Sequence, residues 1–237
     1  RVRFRSAKNL GMDAADVRVL TPDVGGGFGM KAMFYAEYTL AAFAAKQLGR
    51  PVKWTADRSE GFLSDTMGRD HVTTAELAFD ADKRIVGMRV HTRANMGANY
   101  YYFAPFIPTG AAVKVLPGVY DIPVLSYTVQ GVFTNTVPVD AYRGAGRPES
   151  IYCIERLIDA AAREMNIEPT ELRRINFIKP EQMPYKTAVG EKYDSGEFAR
   201  VMDACMAKAS YSDIAARKAE AARRGKKRGI GMCYYIE

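Results

Sequence analysis

Two loops rich in small residues contain the residue types best suited to binding an anionic ligand. The first reads Gly-Gly-Gly-Phe-Gly-Met-Lys over residues 25–31, and the second reads Asp-Ala-Tyr-Arg-Gly-Ala-Gly-Arg-Pro over residues 140–148. Glycine lets a backbone adopt positive φ and approach a ligand closely, and the N–H groups at a helix start attract anions. The structural alternatives are a tight turn for the first loop and, for the arginines of the second, surface ion pairs of small energetic value.

Known nucleotide-binding motifs fit the first loop poorly. It fails as a P-loop because methionine precedes Lys31 where the motif needs glycine, and because Ala32 replaces serine or threonine. Residues 27–32 match the dinucleotide pattern G-x-G-x-x-A, but the glycines trail the predicted strand ending at Leu20 by several residues. A nicotinamide-dependent dehydrogenase remains an alternative function, and Asp57 at the end of a strand beside this loop would favour it.

The formal net charge of +7 is concentrated near the carboxyl-terminal end. Residues 208–228 contain a cluster of arginines and lysines, whose densest part, residues 223–228, contains no aromatic side chain. Charge alone permits a non-catalytic nucleic-acid-binding module as a second alternative function, although single-strand binders interleave aromatic residues. We predict instead a solvated helix end, where cations are favoured by the helix dipole, and we expect no nucleic-acid partner.

The remaining composition excludes other kinds of site. Three widely separated cysteines and two histidines argue against a disulfide scaffold and against a metal site built from cysteine or histidine. No stretch approaches the roughly 18 apolar residues of a membrane helix, so no membrane span is expected. The chain begins at Arg1 without a methionine or a signal-like segment. We therefore expect an internal fragment of a longer protein.

The periodicity of apolar residues predicts an α+β fold, with helices packed on mixed, mostly antiparallel sheets. Strands are predicted for residues 17–20, 52–55, 71–79, 85–93, 124–132 and 229–236, the third and fourth forming a hairpin. Helices are predicted for residues 33–48, 110–115, 148–165, 169–174, 196–209 and 211–224. Asp194 and Glu197 are expected to form a capping pair at the start of the fifth helix. These elements would place the first loop between a strand and a helix, and the second loop ahead of the longest helix.

Together the two loops resemble those of the large, molybdenum-binding subunit of the molybdenum hydroxylases. This family includes xanthine dehydrogenases, aldehyde oxidoreductases and aerobic carbon monoxide dehydrogenase, and the Ala-Tyr-Arg-Gly-Ala-Gly-Arg loop is similar to the form in carbon monoxide dehydrogenase large subunits. The order and spacing of the matching segments extend the resemblance over nearly the whole chain. These segments are residues 25–31, 57–58, 67–71, 141–149 and 193–198.

The resemblance implies a molybdenum–pterin cofactor, molybdopterin, often extended in bacteria as a cytosine dinucleotide. The dithiolene of the pterin holds the molybdenum, so no protein residue is expected as a metal ligand. The residues expected to bind the cofactor are Gly27, Phe28, Gly29, Arg143 and Gly144. A side chain added at Gly29 is expected to project at the metal.

The resemblance also implies three residues at the reacting centre. These are Arg143 beside the cofactor, Ala145 facing the substrate pocket, and Arg69. Arg69 matches an arginine that orients substrate in the purine-oxidising branch; the alternative for it is a surface position at a strand end. The general-base glutamate of the family is expected beyond Glu237, outside this chain.

Two positions narrow the substrate that the resemblance implies. Ala32 stands where xanthine-oxidising members have a substrate-binding glutamate, which argues against xanthine. Gly144 stands where carbon-monoxide-oxidising members have a copper-binding cysteine, and soft thiolate is the ligand that selects monovalent copper. The nearest cysteine, Cys153, is expected to pack on the following helix.

The implied function is molybdenum-dependent hydroxylation or oxidation of an aldehyde or an N-heterocycle, a small-molecule substrate, with water as the oxygen source. Electrons are expected to pass to [2Fe-2S] clusters and FAD on an iron–sulfur subunit and an FAD subunit, in a cytoplasmic dimer of heterotrimers. The expected domains are a partial first molybdenum-cofactor-binding domain, residues 1–180, and a truncated segment, residues 181–237, of connecting helices and the start of a second molybdenum-binding domain.

Overall fold

The computed structural model describes residues 2–236 and confirms the α+β fold. The α-helices are α1 (Val2–Leu10), α2 (Ala36–Leu48), α3 (Arg58–Ser64), α4 (Ala112–Val115), α5 (Arg147–Glu164), α6 (Pro169–Asn176), α7 (Phe198–Lys208) and α8 (Ile214–Arg223). The strands are β1 (His71–Phe79), β2 (Ile85–Gly97), β3 (Leu125–Phe133), β4 (Tyr185–Lys186) and β5 (Lys192–Tyr193).

The chain forms two compact units, each assembled from segments that are distant in sequence. The first contains the chain up to Asp70 together with Asn95–Ile107 and Val132–Ala145, and the second contains His71–Ala94, Pro108–Gly131 and the chain from Gly146 onward. The whole first glycine-rich loop and the second up to Ala145 therefore belong to the first unit. The predicted domain boundary at residue 180 stays a prediction.

Strands β1, β2 and β3 form a sheet in that order. Strands β1 and β2 pair antiparallel, with His71 opposite Ala94, and the turn between them closes through a 2.8 Å bond from the Arg84 N–H to the Asp80 carboxylate. The predicted hairpin and the strand predicted for residues 124–132 are confirmed. Alternating side chains of β2 are buried, which places one face of the sheet in the core.

The core of the second unit forms along one face of α5. Ile154, Ile158 and Ala162 recur at four-residue steps and are each at most 1% exposed. They pack with buried apolar residues of β2, of α6 and of the segment 116–122. Because burial of one such aliphatic side chain contributes about 1.5–3 kcal/mol, this face holds α5 firmly in the unit.

A buried ionic network joins α5 to α6 in the second unit. Arg173 is fully buried and contacts Glu155 at 2.8 Å and Asp159 at 2.9 Å. The Tyr120 hydroxyl donates to the second carboxylate oxygen of Glu155 at 2.5 Å, and burial raises the pKa of Tyr120 well above its ordinary value. Every charge in the network thus has a partner of opposite sign or a hydrogen bond, as burial requires.

Three predicted strands do not form. Residues 17–20, 52–55 and 229–236 take part in no strand ladder of the described chain. Leu20 is 70% and Trp54 41% exposed. A strand is stabilised by cross-strand partners more than by intrinsic preference. None of the three segments has such a partner within residues 2–236, although Met232, Tyr234 and Ile236 pack half-buried against the core of the second unit.

The observed helices show which of the predictions from apolar spacing were correct. The predicted long helices are confirmed, whereas α1 and α3 were missed because neither shows a regular stripe of apolar residues. The predicted capping pair is wrong: α7 begins at Phe198, its N-cap Glu197 makes no side-chain cap bond, and Glu197 instead pairs with Arg200 at 2.9 Å. The apolar stripe of α2 is present but exposed, with Leu40 at 61%.

Candidate functional site

The first glycine-rich loop is a tight, partly left-handed turn in the first unit. Gly26 and Gly29 have φ of 107° and 91°, and Phe28 adopts φ of 50°, which is uncommon for a residue with a side chain. The Lys31 N–H donates to the Gly27 carbonyl at 3.1 Å. Because α2 begins only at Ala36, the loop does not form the N-terminus of that helix, contrary to the sequence prediction.

The lysine of the first loop is already paired. The Lys31 ammonium lies 3.1 Å from both carboxylate oxygens of Asp65 and 4.7 Å from the centre of the Tyr35 ring. Burial and the nearby Asp65 carboxylate raise the pKa of Tyr35, whose hydroxyl donates to the Met30 carbonyl at 3.2 Å. Lys31 therefore ties the loop to the end of α3 and is not an unpaired anion-binding cation.

The second loop is anchored by a buried carboxylate that sequence reasoning missed. Asp140 is 1% exposed and accepts N–H bonds from Phe103 at 3.0 Å and from Ala141 at 2.5 Å. Burial raises the pKa of Asp140, and these two bonds oppose that rise. Beyond this anchor the chain reverses, with a 2.7 Å bond from the Ala145 N–H to the Tyr142 carbonyl.

The two loops meet backbone to backbone. The Arg143 N–H donates to the Phe28 carbonyl at 3.0 Å, and the Arg143 guanidinium carbon lies 5.8 Å from the centre of the Phe28 ring. A Cβ atom added at Gly29 would lie 2.5 Å from the Ala141 carbonyl oxygen. A side chain at Gly29 would therefore first strike the second loop, and not a ligand in front of it as the sequence predicted.

A third segment, ending at Arg69, supports the second loop from another direction. The Arg69 guanidinium donates to the carbonyls of Tyr142 at 3.1 Å and Arg143 at 2.5 Å and lies 5.0 Å from the centre of the Tyr142 ring. A Cβ atom on the preceding Gly68 would lie 2.4 Å from the Tyr142 Cβ. Neither contact was visible in the sequence, where the only local signal is the Gly-Arg-Asp turn.

The meeting of the two loops leaves a cavity of about 300 Å³. Its walls are Gly26, Gly27, Phe28, Met30, Lys31, Tyr142 and Arg143. Phe28 is 52% exposed, and within residues 2–236 the Arg143 guanidinium has no carboxylate at ion-pair distance. The cavity thus offers a glycine-lined wall, an aromatic face and one cation without a counter-ion.

A larger cavity of about 860 Å³ lies between the segment 56–69 and Tyr142. Its lining includes Arg69 and Thr66. The buried hydroxyl of Thr66 has no hydrogen-bond partner within residues 2–236. Lys31, Met30 and Tyr142 line both cavities. Phe28 and Arg143 face only the smaller one, and Arg69 only the larger one.

The predicted site residues other than Arg69 fall into two groups. Gly27, Phe28 and Arg143 line the smaller cavity. Gly29 is not part of its lining and packs closely against Ala141 of the second loop. Gly144 and Ala145 form the reversal of the second loop, with φ of 90° and 39°.

Other predicted groups lie outside these loops. Cys153 packs against the core of the second unit as predicted, and burial raises its thiol pKa to about 11. Arg224, in the basic segment, follows α8 as the predicted helix end and pairs with Glu220 at 3.4 Å. Within the described range, no group of three or more metal-ligating side chains is present, and no helix is long and apolar enough to cross a bilayer.

Asp57 does not have the geometry that would favour the nicotinamide-dependent alternative. Its carboxylate accepts the Glu60 N–H at 2.7 Å, while the Glu60 side chain accepts the Asp57 N–H at 3.3 Å. This capping box starts α3. Since residues 52–55 form no strand, Asp57 is a helix cap and not the acid at the end of a strand.

Comparisons with known proteins agree on one relationship. A family model described as the molybdopterin cofactor-binding domain matches residues 1–177. The chain is 36% identical over 232 residues to the nicotine 6-hydroxylase large subunit of Paenarthrobacter nicotinovorans, covering 96% of the chain and 28% of that protein. It is 39% identical over 216 residues to the carbon monoxide dehydrogenase large chain of Hydrogenophaga pseudoflava, covering 89% of the chain and 27% of that protein.

The fold agrees with the same relationship. The crystal structure of quinoline 2-oxidoreductase from Pseudomonas putida 86 superposes with a TM-score of 0.86 at 33% identity, covering 94% of the chain and 29% of the matched chain. The chain therefore spans less than a third of the length of each of these relatives.

Proposed function

Because the chain belongs to the molybdopterin cofactor-binding domain family, we propose that it forms one part of the cofactor site in the large subunit of a molybdenum hydroxylase. The proposed reaction is hydroxylation or oxidation of a small molecule with water as the oxygen source. The observation that carries the proposal is the junction of the two loops, where Gly29 and Phe28 of one contact Ala141 and Arg143 of the other.

The residues at this junction fit an anionic pterin cofactor. Gly26 and Gly27 leave the wall of the cavity bare, and Phe28 offers an aromatic face. The Arg143 guanidinium is a donor suited to phosphate, which it can bind in a bidentate way. Gly27, Phe28, Gly29, Arg143 and Gly144 would hold the cofactor, and when bound it supplies the redox-active molybdenum for oxygen transfer.

The protein side of the proposed mechanism is positioning and exclusion of water. Phe28 covers one side of the reacting centre, and the hydrogen bond from Arg143 to Phe28 keeps the loops at a constant separation. Ala145 leaves room for substrate because its side chain is a single methyl group. Holding reactants in place in this way lowers the entropic part of an activation barrier.

The proposed substrate is an N-heterocycle or an aldehyde. Two of the relatives described above carry the names of N-heterocycles, nicotine and quinoline, which favours the first class. Ala32 stands in the place of a glutamate associated with xanthine, so xanthine is not proposed.

Electron transfer requires partners. A further relative, 35% identical, is named as the gamma subunit of the 6-hydroxypseudooxynicotine dehydrogenase complex from Paenarthrobacter nicotinovorans, and others are named large subunits or large chains. We therefore propose an iron–sulfur subunit with [2Fe-2S] clusters and an FAD subunit as partners, a cytoplasmic dimer of heterotrimers, and a cytosine dinucleotide form of the pterin.

The first prediction concerns metal content. The complete protein that contains this chain, produced in a host able to make the pterin, is expected to carry about one molybdenum per chain, since the metal is the reacting centre. Elemental analysis and the fluorescence of the released, oxidised pterin measure this. Active enzyme without molybdenum would disprove the proposed function.

The second prediction concerns copper. Gly144 has no donor atom where copper-dependent relatives have cysteine, and Cys153 packs in α5 with its thiol pKa raised to about 11, so it is protonated at neutral pH. Purified holoenzyme is therefore expected to contain no stoichiometric copper and to reduce no dye with carbon monoxide. The Hydrogenophaga relative named above is the positive control. Turnover of carbon monoxide that cyanide removes and copper restores would contradict this prediction.

A further inference from the structure

We propose that Arg69 is a positioning residue that sets the peptide planes of the second loop, and not a residue that orients substrate. The proposal rests on the proposed function, because the second loop matters for catalysis only if it holds the cofactor. It stands on the geometry of Arg69, Tyr142 and Arg143, all in the first unit.

The two carbonyls that Arg69 binds belong to consecutive peptide groups. In a trans peptide the N–H points away from the C=O of the same plane, and the chain has no cis peptide in this loop. The guanidinium bond to the Tyr142 carbonyl therefore turns the Arg143 N–H toward the Phe28 carbonyl, which it meets at 3.0 Å. The bond to the Arg143 carbonyl turns the Gly144 N–H to the side opposite Arg69. One planar guanidinium thus orients two successive peptide dipoles.

The hydrogen-bonding capacity of the Tyr142 carbonyl is fully used. It accepts both the Ala145 N–H at 2.7 Å and the Arg69 guanidinium at 3.1 Å, which uses both of its lone pairs. The first bond closes the reversal of the loop and the second fixes its orientation. A lysine at position 69 would offer a single ammonium, which lacks the planar fork that reaches two carbonyls at once.

The backbone around Arg69 is held in an uncommon conformation. Arg69 and Asp70 have φ of 69° and 63°, a left-handed region that costs free energy for residues with side chains and persists where the surroundings determine it. Asn95 supplies those surroundings through bonds to the Asp70 carboxylate at 2.6 Å and from its own N–H to the Asp70 carbonyl at 3.1 Å. This anchor directs the Arg69 side chain toward the second loop.

The placement of the cavities argues against a substrate-orienting role. Arg69 does not line the cavity where Phe28 and Arg143 meet, and it faces the larger cavity on the other side of Tyr142. Two of its donors are committed to the protein, and its face covers the Tyr142 ring. Arg69 therefore acts on the cofactor side through the loop.

The test compares three variants of the complete holoenzyme: Arg69→Met, Arg69→Lys and, as a matched control, Arg18→Met, which changes an exposed arginine of the same unit. Hydrogen exchange at the Arg143 and Ala145 amides is expected to accelerate at least about tenfold in Arg69→Met, less in Arg69→Lys, and not in the control. This readout needs no activity.

Kinetics with two substrates of different size and polarity separate the roles. A positioning residue predicts that Arg69→Met lowers kcat about 100-fold for both substrates, the loss associated with a misplacement of about 1 Å, while KM changes less than about threefold. Arg69→Lys recovers part of kcat and remains informative if Arg69→Met fails to fold.

Two results would overturn the inference. The first is a large rise in KM for one substrate with kcat unchanged, which indicates direct substrate contact. The second is unchanged amide exchange in both Arg69 variants. A wild-type protein that holds no molybdenum would instead refute the proposed function, and the exchange experiment would still decide whether Arg69 holds the loop.

Discussion

Gly29→Val is expected to lower turnover of the complete enzyme at least about 100-fold while the protein remains folded. The added Cβ would lie 2.5 Å from the Ala141 carbonyl oxygen, closer than any real Cβ contact, and φ at this residue is 91°. The loops must separate to admit it, which breaks the contact between Phe28 and Arg143. Displacement of a cofactor-holding loop by about 1 Å is enough for a loss of this size.

Steady-state turnover, molybdenum content and circular dichroism measure the outcome of Gly29→Val. Gly25→Val is the matched control from the same segment. Apart from the adjacent residues, no described atom lies within 4 Å of its added Cβ, and its φ lies outside the left-handed region. It is expected to lose less than about tenfold. Near-normal turnover in Gly29→Val would show that the contact between the loops is not needed for catalysis.

Arg173→Met is expected to destabilise the second unit by about 3–5 kcal/mol, the cost of removing one partner from a buried ion pair. The substitution replaces the buried guanidinium with an apolar side chain. The Glu155 carboxylate, with only 6% of its side chain exposed, then loses the 2.8 Å contact that compensates its burial. Asp159 also loses its 2.9 Å partner. In a urea titration of the complete protein, the α5 amides should therefore exchange hydrogen at a lower urea concentration than in the wild type.

The neighbouring residue supplies the control for Arg173→Met. Arg174 lies on the same helix and pairs with Asp203, but about a third of the Arg174 side chain and more than half of the Asp203 side chain are exposed to solvent. Solvent screens such a pair and leaves it with little net value, so Arg174→Met is expected to have a small effect. Equal losses in the two variants would show that burial does not determine the strength of this network.

Much of the regular structure could be predicted because it depends on the spacing of apolar residues that are close in sequence. The α5 stripe and the β1–β2 hairpin each carry many apolar residues at one period, and such patterns survive in any tertiary context. Residues 17–20 show the limit, since they have the composition of a strand but no partner strand. A strand forms only when it pairs with another strand, and residues that are close in sequence do not determine which strand that is.

The sequence by itself determined where the backbone can bend and approach another chain segment. The glycines of the two loops, and the small side chain of Ala145, are local facts that also carried the family resemblance. The glycines could be identified without a structure because glycine adopts positive φ at little cost, whereas the positive φ of Phe28, Arg69 and Ala145 is known only from the structure.

Only the tertiary structure decided which groups the loops meet. Arg69 binds carbonyls 73 and 74 residues away. Lys31 forms an ion pair with Asp65 and is not an unpaired cation. A Cβ atom added at Gly29 would likewise meet the Ala141 carbonyl of the second loop. The physical reason is that hydrogen bonds and ion pairs act over a few ångströms, so their partners exist only after distant segments have been brought together by burial of the core.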